Sequence, residues 1–134
     1  MRMDRQGFAY PPYRLRIDRA RAAQYVAAQG VEAGDDGSVP PTYMIFLRGE
    51  SHGVDLFTDL DIPRQRALHG GQRYEWFAPI GWDDAFDVTA RVTKITEKAS
   101  KSGPLWFADV EYEYRNADSG EVALREITRI IERG

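Results

Sequence analysis

Histidine is the side chain most readily used as acid or base near neutral pH, and this chain has two, His52 and His69. His69 lies in the stretch Leu68-His69-Gly70-Gly71-Gln72-Arg73-Tyr74-Glu75-Trp76-Phe77-Ala78-Pro79. The glycine pair lets backbone come close to another chain or a ligand. An imidazole beside it could donate to, or take a proton from, a carbonyl compound. The bland alternative is a histidine satisfied by loop carbonyls at the start of a strand. Glu75 and Asp84 are candidate acidic partners, but strand pairing has to place them. His52 falls among Glu50, Asp55, Asp59 and Asp61. That spacing matches neither a helical histidine pair nor a calcium loop, so the segment reads as a solvated loop and no metal site is expected.

Several chemistries lose their usual supports. The chain has no cysteine, which removes disulfides, thiolate metal sites and thiol nucleophiles. It has no glycine-rich phosphate loop, no Gly-x-Ser-x-Gly elbow and no His-Glu-x-x-His pair, the signatures of nucleotide, serine-hydrolase and zinc-peptidase sites. A net charge of −3 gives no basic footprint for nucleic acid. No apolar run is long enough to span a membrane and no secretory signal is visible, so a cytoplasmic protein is expected. Arg91, Lys98 and Lys101 could meet phosphates, although a charged hairpin is more often a solvated turn.

The elements that must position these residues can be read in order. The 134 residues suffice for one domain. Residues 1–12 mix charge, glycine and a proline pair and are expected to be loose. Tyr13 to Ile17 alternates as a short strand. A helix follows, with Asp18 as N-cap, Gly30 at its end, and Ala22, Tyr25 and Val26 as a narrow apolar stripe. Pro40-Pro41 enforces an extended entry into a short apolar helix, Tyr43 to Leu47. From Ala67 onward the pattern is one of strands. Gln72, Tyr74 and Trp76 share one face of the first and are assigned to core or interface, opposite Arg73, Glu75 and Phe77. Phe86, Val88, Ala90 and Val92 share a face of the second until Ile95 breaks parity, which predicts a bulge near Thr93-Lys94. Leu105 to Tyr114 alternates as the third. The final segment matches a helical stripe at Ala123, Ile127, Ile130 and Ile131, but its β-branched content and the turn Asn116-Ala117-Asp118-Ser119-Gly120 favour a strand. Helix first and hairpin-linked strands after is an α+β plan, with helices on one face of an antiparallel sheet.

The segment around His69, with Val39-Pro40-Pro41-Thr42 before it and Arg91-Val92-Thr93-Lys94 after it, resembles the N-terminal-type domains of MaoC-like acyl-thioester dehydratases, a superfamily that includes FAS1-like dehydratases and (R)-specific enoyl-CoA hydratases. The resemblance runs from about Pro12 to Arg133. It departs from the pattern at Gly71, where the family usually has Glu, and at Asp83, where it usually has Gly. It implies a single hot-dog domain over residues 1–134, an antiparallel sheet wrapped around a helix.

The resemblance also implies a function. Family enzymes interconvert 3-hydroxyacyl and enoyl thioesters with an Asp followed a few residues later by a His. The corresponding stretch here, Val31 to Thr42, contains no histidine. The chain therefore looks like the half that shapes the acyl pocket in a 3-hydroxyacyl-thioester dehydratase or enoyl-CoA hydratase, with a partner subunit supplying the dyad. Its implied substrate-binding residues are Pro40, Tyr43, Phe46, His69, Gly70, Gly71, Gln72 and Tyr74, with His69 as the sole catalytic candidate. No cofactor is implied beyond the acyl-CoA or acyl-carrier-protein thioester that serves as substrate. The expected partner is a second copy or a MaoC-like subunit carrying the Asp and His. A hot-dog acyl-CoA thioesterase and a noncatalytic acyl-thioester-binding subunit are the alternatives.

Overall fold

The chain was analysed as a computed structural model that describes residues 1–28, 30, 43–44 and 52–134. It contains strand β1 (Tyr13–Arg16), helix α1 (Arg19–Ala28), a helical turn α2 (Leu56–Asp59) and strands β2 (Ala67–Trp76), β3 (Ala85–Ser100), β4 (Gly103–Asn116) and β5 (Val122–Arg133). The strands form one antiparallel sheet in the order β1-β3-β4-β5-β2. Among the described residues β1 and β2 are the edge strands of the sheet.

Local chemistry accounts for the punctuation. The Asp18 carboxylate accepts from the backbone N–H groups of Ala20 at 2.9 Å and Arg21 at 3.3 Å, capping α1. Asn116 Oδ1 accepts from the N–H groups of Asp118 and Ser119, which closes the β4–β5 turn. Asp83 takes φ 66°, a left-handed conformation that glycine adopts freely and Asp tolerates better than most residues. Glycine at this position would adopt the same turn without cost.

The core lies on one face of the sheet. Phe86, Val88, Ala90, Val92 and Ile95 of β3 are buried there with Ala108, Val110, Tyr112 and Tyr114 of β4 and Leu124 and Ile130 of β5. The β3–β4 register slips between Val92 and Lys94, which keeps Ile95 on the buried face and is the bulge its parity predicts. Ala22 of α1, Tyr43 and Met44 join this cluster. The last segment is a strand, as its turn and β-branched content indicate.

Three expectations are corrected. Residues 1–12 are docked: Gly7 N–H donates to Val92 O, Val92 N–H to Phe8 O and Tyr10 N–H to Ala90 O, and Tyr10 is buried. They satisfy backbone groups along β3 past the end of β1, which offsets the entropy of ordering them. The segment after His52 is not a solvated loop, because Val54, Leu56, Leu60 and Ile62 are all in the core. Asp55 starts its helical turn, accepting from Thr58 N–H at 3.2 Å and Thr58 Oγ1 at 2.6 Å. Of the two places expected for Trp76, core or interface, the core is excluded: it is 42% exposed, and its neighbour Phe77 is 51% exposed. The short apolar helix expected over Tyr43 to Leu47 lies largely outside the described residues.

Candidate functional site

The site is built on β2 and its neighbour β5. The β2–β5 register runs Ala67↔Glu132, Leu68↔Ile131 and His69↔Ile130, then resumes at Gly71↔Arg129 and Gln72↔Thr128. Gly70 is the extra residue of a bulge. An unbroken strand would put His69 on the side of Gly71 and Arg73. The bulge shifts parity, so His69 and Gln72 share the face that buries Thr128 and Ile130. Glycine at 70 is dictated by packing: a Cβ there would lie 2.7 Å from Ile131 Cδ1 and Cγ1 and 2.9 Å from Arg129 Cγ. At Gly71 a Cβ would meet nothing within 4 Å among the described residues.

On that face His69 leads into a buried polar network. His69 Nε2 lies 3.2 Å from Gln72 Oε1, and the Gln72 amide donates from Nε2 to Glu126 Oε1. Glu126 is fully buried. Its other oxygen accepts from the Tyr114 hydroxyl at 2.9 Å. Thr128 Oγ1 sits 3.3 Å from Gln72 Oε1 and 3.4 Å from Glu126 Oε1, close enough for its one proton to serve either. Burial, with Glu126 beside it, pushes the Tyr114 phenol well above its ordinary pKa, so Tyr114 stays a donor throughout the working range of most enzymes. A buried carboxylate surrounded by donors satisfies the condition for burying charge. The network spans β4, β5 and β2 and surfaces at His69, which is exposed.

Other expected site residues lie in different surroundings. Tyr74 is half-buried on the inner face of β2, its ring centroid 5.7 Å from that of Trp76 in a stacked arrangement. Tyr43 is buried, with its ring centroid 5.5 Å from that of Tyr25 on α1, and burial raises its pKa. Pro40 and Phe46 lie outside the described residues. Neither acidic candidate partners His69. Glu75 points to the opposite face, 3.9 Å from Arg125, and Asp84 Oδ2 accepts from Gly81 N–H at 2.7 Å. His52 stacks on Tyr13 with centroids 4.7 Å apart and planes 7° from parallel. Among the described residues, no three potential metal-ligating side chains converge. Lys98 covers the Phe107 ring, its Nζ 5.2 Å from the centroid.

Sequence reasoning missed Glu126, Thr128 and Tyr114 as site residues. A signal was present: in the strand reading of Val122–Arg133, Glu126 and Thr128 share parity with Leu124 and Ile130. Two polar residues interrupting a buried stripe mark either a misassigned face or a buried polar site.

The matches to known proteins agree with this architecture. No curated protein sequence matches the chain. Among solved structures, a chain of the truncated HadBC (3R-hydroxyacyl-ACP dehydratase) complex from Mycobacterium tuberculosis superposes with a TM-score of 0.76 at 16% identity, covering 98% of this chain and 99% of that one. A chain of the ChsH1–ChsH2 complex from the same organism gives 0.68 at 16% identity, with 93% and 84% covered. HtdX of M. tuberculosis gives 0.69 at 25% identity, and the match covers 92% of this chain but only 51% of HtdX. The sheet and helix are those of the hot-dog fold. A family model described as "FAS1-like, dehydratase domain region" matches residues 19–125. The chain therefore belongs to the FAS1-like dehydratase domain family, as the resemblance around His69 implied.

Proposed function

We propose that this chain is the pocket-shaping subunit of a 3-hydroxyacyl-thioester dehydratase or enoyl-thioester hydratase, and that a second hot-dog subunit supplies the Asp/His pair. One observation carries the reading. The histidine on the family-like segment is held by an amide, Gln72, and not by a carboxylate. An Asp/His pair works as base and acid on one reacting water, so both groups must reach it, whereas the carboxylate of this network, Glu126, is fully buried behind Gln72. Here the network around His69 orients the ring and ends in a buried Glu126, an arrangement suited to binding.

In hydration, water adds across the double bond of the enoyl thioester. The hydroxyl goes to the β-carbon, a proton goes to the α-carbon, and donors stabilise the negative charge that develops on the thioester oxygen. The partner's pair moves the protons. This chain holds the acyl thioester against that pair, a contribution that can rival the chemistry itself. The edge of β2, unpaired among the described residues, and the exposed Trp76 and Phe77 at its end favour a subunit docked there, since unpaired edges and adjoining exposed aromatics invite pairing. The HadBC and ChsH1–ChsH2 structures are complexes, and HtdX is about twice as long as the region this chain matches, which supports two hot-dog units working together.

The test is hydration of crotonyl-CoA and of longer enoyl-CoAs at neutral pH, by the purified chain alone and after addition of a hot-dog subunit carrying the Asp and His. Little or no turnover alone and turnover on mixing is the expected result. Turnover by the chain alone at about 10 s⁻¹, a typical enzyme rate, abolished by His69→Ala without unfolding, would show that His69 is catalytic and overturn the reading.

A further inference from the structure

We propose that Glu126 is a positioning residue that fixes the tautomer of His69 through Gln72, so that neutral His69 meets a substrate as a hydrogen-bond acceptor through Nδ1. The buried end of the network is the Glu126 carboxyl group. In its ionised form Glu126 only accepts, so the Gln72 group facing it is the amide NH₂. An isolated glutamine amide can be turned end for end at little cost, but this one has a single orientation set by charge. Its carbonyl oxygen is thereby directed to His69 Nε2, 3.2 Å away. A carbonyl oxygen also only accepts, so Nε2 must carry the proton. In a neutral ring the other nitrogen, Nδ1, is then the bare one.

The arrangement is reinforced at each step. Tyr114 donates to Glu126, and the single Thr128 proton serves either Glu126 or Gln72 Oε1. The bulge at Gly70 puts the ring on the same face as the amide, and Ile131 leaves no room for a side chain at the bulged residue. An exposed histidine would ordinarily turn freely; this one is tied to a buried anchor on another strand. For the acyl-thioester site the consequence is specific, and it rests on the functional reading above. A neutral His69 held this way cannot donate to the thioester carbonyl through Nε2, which is occupied. It can accept from an N–H or O–H of the bound molecule.

The experiment is ¹⁵N NMR of the imidazole nitrogens in the full chain, without substrate or partner, at about pH 8.5, above the ordinary histidine range. With only two histidines, His52 serves as an internal control. The expected result is a His69 signature of protonated Nε2 and bare Nδ1, well beyond the mixture seen for histidine in an unstructured peptide. In Glu126→Gln, residue 126 can offer either end of an amide, so Gln72 loses its fixed orientation and the His69 signature moves to the peptide mixture while that of His52 stays. If Glu126→Gln does not fold, Gln72→Met removes the acceptor directly and should give the same change. A wild-type His69 with the proton on Nδ1, or with the peptide mixture, overturns the proposal. So does a folded variant whose His69 signature is unchanged. Because no substrate or partner is present, this outcome is independent of the hydratase assay, and either idea can fail without the other.

Discussion

Gly70→Ala isolates the feature on which the site geometry depends. The backbone at Gly70 does not require glycine, since its φ lies outside the left-handed range. The cost of a side chain is therefore steric. An added Cβ would sit 2.7 Å from two carbons of Ile131 and 2.9 Å from Arg129 Cγ, well inside the 3.5–4.0 Å at which carbon atoms pack best. Arg129 Cγ belongs to a long, exposed side chain and can yield. Ile131 Cγ1 is one bond from its Cβ and moves only with a rotamer change or a shift of β5. Overpacking of this kind costs about 1–3 kcal/mol, and because Ile131 is half-buried the lower half of that range is expected. Urea unfolding should show a lower midpoint with an unchanged slope. Ile131→Ala removes both clashing carbons, so the double variant should be more stable than the sum of the single effects by about 1 kcal/mol, within the range seen for residues in contact. A Gly70→Ala protein as stable as wild type, or strictly additive effects in the cycle, would refute the packing account of the bulge.

Replacing Trp76 and Phe77 together by Ala should change the stability of the isolated chain little, because both are about half exposed, and should weaken association measured by sedimentation, since large aromatics commonly dominate interface energy. Unchanged association would place the interface away from the end of β2. Asp55→Ala should cost about 1 kcal/mol at pH 7, as an N-cap. Bonds from Thr58 hold the Asp55 carboxyl below its ordinary pKa, so its contribution is present above the unfolded value near about 3.9 and is lost as pH falls through the lower folded value. The stability gap between wild type and Asp55→Ala should therefore narrow on acidification, and a gap constant from pH 7 to pH 2 would rule out the cap as its source.

The sequence alone determined what depends on local periodicity and turn chemistry. The alternation from Phe86 to Val92, its break at Ile95, the Asp18 cap and the Asn116 to Gly120 turn each record a choice made by a few neighbouring residues, and each is legible without knowing what lies across the sheet. The segment around His69 and its spacing to the flanking motifs also sufficed to point to the family. Pairing across strands was not legible. Whether His69 faces Gln72 or Arg73 is settled by one bulge residue, and the glycine at that position is required by Ile131 of β5, whose side chain leaves no room for a Cβ there. Glu126 looks like any charged residue on a half-exposed strand until β4 and β2 flank it with Tyr114 and Gln72. Trp76 has the parity of a core residue, yet it stands at the end of an edge strand where none of the described residues covers it fully. Tertiary structure decided these three cases for one reason: burial and hydrogen bonding of a side chain are properties of the strand beside it, and a one-residue shift in register exchanges the two faces.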